Sequence, residues 1–209
     1  MTTKDKIFDL SNKVEKAKNK YSEKLVSVIM KYIRKYKEHP EEWDKGQEEI
    51  LDLIYESLAE TYSIMGAGLK KIYRRVPEFK VNKIGDLTYN KDGITLEERV
   101  KSHWDWGKNV LASQDYDVFD IKCSLINKYE RILFTETKVV EGKVKANKKP
   151  ENASMLIIES GCENCPGGEY SADESVELPP YHPNCSCCYY YIVTDDEDDI
   201  HDLDLEIEE

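Results

Sequence analysis

The opening of the chain repeats apolar side chains at steps of three and four, and no other feature restricts its fold more. Over residues 4–38 the repeat runs Ile7, Leu10, Val14, Ala17, Tyr21, Leu25, Val28, Tyr32 and Tyr36. Such steps return a side chain to the same face of a helix. The intervening positions are rich in Lys and Glu, so the spacing predicts one long amphipathic helix. His39-Pro40 ends it, because the residue before proline is pushed out of the helical region. A second set, Trp43, Ile50, Ile54, Leu58, Tyr62, Met65, Leu69 and Ile72, predicts a second helix over residues 41–75. Gly66 and Gly68 mark a break or bend in it. Two such helices must bury their stripes against each other or against neighbouring subunits.

Pro77 to Gly93 reads as a loop, because Asp86 and Asn90-Lys91-Asp92-Gly93 are turn formers. Thr95, followed three residues later by Glu98, has the form of a capping box. The helix it starts runs to about Leu111. Asp115 or Asp117 opens a fourth, through Cys123, Ile126, Tyr129, Ile132 and Leu133 to about Lys145. The polar stretch from Ala146 to Asn152 is the expected domain boundary. Beyond it, Met155–Glu159 and Cys188–Val193 are apolar or β-branched runs that predict two paired strands.

The expected fold is therefore α+β. It is mostly helical, with long N-terminal helices and a small C-terminal β-hairpin module rich in Cys and His. The expected divisions are a long-helix arm (1–76), a second helical part (77–147), the Cys/His module (148–194) and an acidic tail (195–209).

The net charge of −12 is concentrated in that tail. Ten acidic residues and no Lys or Arg lie between Asp195 and Glu209, and setting them aside leaves −2 for the first 194 residues. The tail reads as a solubilising end. Its alternating Ile200, Leu203, Leu205 and Ile207 also suit a strand added to a partner's sheet edge. No apolar run approaches the ~20 residues of a membrane span. The start MTTKDKIFDL lacks an apolar signal core, so cytoplasmic assembly is expected.

In a reducing compartment clustered cysteines point to metal rather than to disulfides. Five of the six Cys lie between Cys162 and Cys188. Cys162-x-x-Cys165 is followed, after sixteen intervening residues, by His182-x-x-Cys185-x-Cys187. Structural zinc takes four N or S ligands, commonly two from each of two tight turns. The candidate ligands are Cys162, Cys165 and Cys185, with either His182 or Cys187 as the fourth. Disulfide pairing or plain packing are the alternatives. A filled four-ligand site is structural, with no open position for catalysis. Other catalytic signals are thin. There is no phosphate-binding glycine loop and no nucleophile elbow. His103, beside Trp104 and Trp106, reads as a packed or surface residue, and Cys123 as an inert helix thiol. Glu136 reads as part of a polar helix face or as a buried group bonding to a loop. No catalytic residue and no enzymatic activity is expected.

Arg131-Ile132-Leu133-Phe134-Thr135-Glu136-Thr137, the Cys pair, and Pro179-Pro180-x-His182-Pro183-Asn184-Cys185-x-Cys187 together resemble the phage head morphogenesis family typified by phage Mu protein F. Asp92 to Arg99 is similar to the start of that family's helix. The resemblance spans roughly residues 92–193, and His-Pro-Asn-Cys-x-Cys is its most specific part. The chain departs from the family pattern at Ser186, where Arg is usual, and at Leu133-Phe134, where Ala-Arg is usual. The resemblance implies a structural minor head protein of a tailed bacteriophage, acting in head assembly or DNA packaging. It implies location in the virion at the portal, with portal or major capsid proteins as partners in a symmetric assembly, and contact with packaged DNA. The long helices would then be a docking arm.

A zinc-ribbon-like nucleic-acid-binding protein is the competing reading. Residues 155–209 hold no Lys or Arg, whereas phosphate neutralisation needs them. The candidate basic patch, Lys70, Lys71, Arg74 and Arg75, reads equally as a solvated helix end. A transferase-type enzyme, resting on Glu136 alone, is the weakest alternative.

Overall fold

Capping starts the first helix where the sequence supplies the right pair. The Thr2 hydroxyl accepts from the Asp5 amide (3.1 Å), and the Asp5 carboxylate accepts from the Thr2 amide (3.0 Å). Two of the four orphan amides of a helix start are satisfied this way. In the computed structural model, which describes residues 2–73, 75–90, 93–113, 117–163, 165–182 and 185–193, helix α1 then runs Thr3–Lys35. Its buried stripe contains Ile7, Leu10, Val14, Ala17, Tyr21, Leu25 and Tyr32, as the spacing predicts. Ile29 and Ile33 complete the stripe, while Val28 and Tyr36 lie at its margin. A straight helix drifts against a strict seven-residue repeat, which shifts the last turns by one position.

Pro40 begins a short 3-10 turn, and α2 (Trp43–Ile72) follows without a break. Gly66 and Gly68 neither end nor interrupt it. Gly68 is instead a packing device. A Cβ there would come within 2.3 Å of Leu10 Cδ1, so with any larger residue the Leu10 side chain would have to move. The ion pairs Lys20–Glu60 and Lys31–Glu49 ascend α1 as they descend α2, and Lys35–Glu42 joins the end of α1 to the turn before α2. The two helices are therefore antiparallel, with their stripes facing each other.

The capping box forms at Thr95, whose hydroxyl accepts from the Glu98 amide (3.2 Å), and α3 spans Leu96–Ser113. Its Trp104 stacks on Trp43 of α2 with ring centroids 4.2 Å apart. Each indole N–H donates to the other residue's carbonyl, at 3.2 and 2.8 Å. Buried tryptophans need such partners, and here one pair satisfies both. Helix α4 (Val118–Asn147) is capped by Asp117, whose carboxylate accepts from the Phe119 amide (2.9 Å). It packs on α1, α2 and α3.

The C-terminal sheet has three strands, one more than the expected hairpin. Strand β1 (Ala153–Glu159) lies between β2 (Gly168–Ser171) and β3 (Cys188–Val193), antiparallel to both. Leu156 pairs with Tyr170 on one side and Tyr191 on the other. The sequence hides β2 because Gly-Glu-Tyr-Ser has neither a β-branched run nor an apolar alternation. On β3, Tyr189, Tyr191 and Val193 face inward. The Tyr73 hydroxyl, at the end of α2, accepts from the Tyr191 amide and donates to the Tyr191 carbonyl, both at 3.0 Å. One side chain thus fills the middle of the edge that β3 leaves unpaired.

A single apolar cluster contains residues from 1–76, 77–147 and 148–194, including Leu25, Leu125 and Leu156. Among the described residues no helix is long and apolar enough to cross a membrane. The acidic tail, its Ile200–Ile207 alternation, Arg74 and Asp115 lie outside the described residues.

Candidate metal centre

Two tight turns deliver the cysteine cluster, each closed by one backbone bond. The Cys165 amide donates to the Cys162 carbonyl (3.2 Å), and the Cys185 amide donates to the His182 carbonyl (3.1 Å). The first turn follows β1, and the second precedes β3. Because these strands pair from Glu159 to Cys188, the sheet register brings the turns together. The donor atoms of Cys162, Cys165, His182 and Cys185 all lie within 4.8 Å of one another, a group that can hold a metal ion. All six cysteines are free thiols.

Cys187, the fifth sequence candidate, lies against the same cluster. Its thiol is near enough to shift the ionisation of Cys162, Cys165 and Cys185, and its sulfur accepts from the Gly161 amide at 3.3 Å. Cys188, one residue further, begins β3 and is partly buried, with Lys145, Glu159 and Glu141 nearby.

Nothing in the residue pattern pointed to the residues that lock the turns. Ser186, where the resemblance has Arg, donates its amide to Cys162 Sγ (3.3 Å) and its hydroxyl to the Gly161 carbonyl (2.7 Å). A Cβ at Gly161 would lie 2.7 Å from the Ser186 carbonyl oxygen, so a glycine is required there. The Ser160 hydroxyl reaches the carbonyls of Cys162 and Cys165, at 2.7 and 2.9 Å. The available signal was only that small residues flank each cysteine pair.

These bonds set the ionisation of the thiols. The Ser186 hydroxyl and amide pull Cys162 down to about 6. Burial, then the neighbouring sulfurs of Cys187 and Cys162, pushes Cys165 up to about 12. Burial pushes Cys185 up as well. Cys162 is therefore a thiolate at neutral pH, and the thiolate is the form that ligates metal. A cation captured there favours loss of the remaining protons.

The other residues that carry the resemblance are structurally tied to this centre's support. Glu136 on α4 is fully buried. Its carboxylate accepts from Arg99 (2.6 Å) and from the Tyr89 amide (2.7 Å), so it bonds to a loop. Burial pushes its carboxyl up, while the Tyr89 amide and Arg99 pull the other way. Two turns along α4, Gly142 meets the Pro179 carbonyl, which a Cβ would approach to 2.9 Å. The Tyr189 hydroxyl donates to the Gly142 carbonyl at 2.6 Å. Glu141 lies between, accepting from Ser11 of α1 (2.7 Å), Lys145 (2.8 Å) and Lys138 (3.2 Å). Burial alone would raise its carboxyl, but Lys145, Lys138 and Ser11 outweigh that and hold it at about 2.

An open cleft of about 700 Å³ lies between Tyr55, Lys83, Asp86, Glu97 and Lys143. Its polar groups largely bond one another. Tyr55 donates to Glu97, and Lys143 to the Thr88 carbonyl (3.0 Å). His103 packs edge-on against Tyr129, and burial, with Lys128 and Arg99 nearby, pushes its imidazole down. Cys123 is partly exposed on α4. Comparison with protein-family models, with curated proteins and with solved structures finds no match.

Proposed function

We propose that this chain is a structural minor head protein of a tailed bacteriophage, with a zinc ion fastening its C-terminal module. The observation that carries the reading is the meeting of separate motifs. The Thr135-Glu136-Thr137 segment, the Pro179-Pro180 turn and the two cysteine turns converge on one helix and one sheet. Pro179 lies against Gly142, and Glu136 anchors the loop before α3. These are the stretches that carry the family resemblance, and their contacts give each a structural use.

Zinc suits the donor set because thiolates and imidazole are its usual structural ligands. A loop segment with little core of its own gains its stability from the ion. The apolar stripes of α1 and α2 are occupied within the chain, so a docking arm would present its Lys- and Glu-rich outer face to portal or capsid subunits. Contact with packaged DNA would have to use those helices, since residues 155–209 hold no Lys or Arg.

Two experiments test the reading. Elemental analysis should find one zinc per chain, lost in a Cys162→Ser/Cys185→Ser variant. For the head role, the chain is expressed with the portal and major capsid proteins of the same genome. Sedimented heads should contain it at a fixed low copy number by mass spectrometry. Normal heads that exclude the chain would sink the assignment.

A further inference from the structure

We propose that Cys187, not His182, is the fourth metal ligand, so that the centre is a four-thiolate site with His182 as an outer hydrogen-bonding partner of Cys165. This rests on the metal reading above and deepens it.

The first argument is a distance. Zinc binds sulfur at about 2.3 Å and imidazole nitrogen at about 2.0–2.1 Å, so a tetrahedral S–Zn–N edge spans about 3.6 Å. His182 Nε2 lies 3.1 Å from Cys165 Sγ, within hydrogen-bond distance, so the ring can serve that sulfur as an outer partner. The His182 turn brings the ring to the cluster, but its nitrogen stops on a sulfur.

The second argument is the pattern of amide bonds. Gly161 of the first turn donates its N–H to Cys187 Sγ, and Ser186 of the second donates to Cys162 Sγ, both at 3.3 Å. Each turn thus supplies an amide to a thiolate on the other. Hydrogen bonds to a ligand orient it and stabilise its charged form. Cys187 has such a donor, as a ligating thiolate would. Burial agrees, since Cys187 is 5% exposed and Cys185 1%, while His182 is exposed. A closed structural site shields its ligands from water, and the exposed ring suits the outer position.

The chain spacing also fits. Cys185 and Cys187 are two residues apart, immediately before β3. Cys188 belongs to β3 itself, with Lys145 and Glu141 among the charges that act on it.

The test is X-ray absorption fine structure on the zinc-loaded full chain. Four sulfur neighbours and no nitrogen are expected. Three sulfurs and one nitrogen would overturn the proposal while leaving the zinc reading intact. A chain that takes up no zinc would overturn both. Two variants, loaded with cobalt(II), give an independent readout. His182→Ala should keep the thiolate-to-metal charge-transfer intensity of wild type. Cys187→Ser should lose about one quarter of it, as expected for one thiolate of four. Because His182 is exposed, its variant has no packing reason to misfold. Loss of intensity in His182→Ala, or full intensity in Cys187→Ser, would refute the assignment.

Discussion

Replacing Glu141 by glutamine should cost the fold about 3 kcal/mol, and two independent routes lead to that figure. The carboxylate is 3% exposed and its partner Lys145 4%. Glutamine keeps the shape but removes the charge, leaving a buried ammonium without its counterion. Breaking a buried pair on one side costs roughly 3–5 kcal/mol. The second route is proton linkage. A carboxyl held at about 2 in the fold, against its ordinary 4.5, contributes about 3 kcal/mol at neutral pH. The sign follows from the depressed value. This stability is present above pH 4.5 and disappears as the pH falls from there through 2. In urea unfolding at pH 7 the variant should therefore lose about 3 kcal/mol, or about 6–12 °C in Tm for a chain of this size. The gap between wild type and variant should shrink steadily below pH 4.5. Adding Lys145→Met should recover most of the loss, since a neutral pair of similar volume is tolerated where a lone charge is not. A loss under about 1 kcal/mol at pH 7, or a gap unchanged by acid, would refute the claim that the pair is a buried, mutually dependent unit.

Glu136→Ala should destabilise by about 3 kcal/mol, the low end of the buried-pair range because Arg99 has partial access to water. Hydrogen exchange should show the Tyr89 amide losing protection; an unchanged rate would count against its bond to Glu136. Gly161→Ala should separate the two cysteine turns, so a chelator should strip the ion faster than from wild type, whereas a substitution at exposed Ser63 should not change that rate. Chelation of the intact chain should expose residues 160–187 to protease while far-ultraviolet dichroism retains the helical signal. The helical core through Leu25, Ile50 and Leu125 does not pass through the centre, so concerted loss of helix would contradict that separation.

Much of this architecture can be read from side-chain spacing. The stripes of α1 and α2, the cap at Thr95 and the strands β1 and β3 each follow from a local rule acting on adjacent residues. What escaped was set by contacts distant in sequence. Gly68 looked like a helix breaker because its reason, the side chain of Leu10, lies on another helix. Strand β2 has no pattern of its own and exists because β1 offers it an edge. In the candidate metal centre the Cys and His candidates could be picked out from type and spacing, with the fourth ligand left open between His182 and Cys187, but the clamp could not. Ser186 and Gly161 matter through an approach of two backbones that only the β1–β3 register brings about. Glu136 could be read as an outward polar residue or as a buried one. Its choice is fixed by Arg99 and the Tyr89 amide, neither of them near it in the chain.

The hydroxyl of Tyr73 on the rim of β3 has a consequence for how copies of this protein can meet. An uncovered strand is an invitation to polymerise, because its amides and carbonyls pair with any chain that offers the same. Tyr73 answers both groups of Tyr191 with one phenol, so this flank of the sheet cannot recruit another strand at its centre. A chain whose sheet rim is closed in this way can stay dispersed at high concentration until a specific surface joins it to a neighbour.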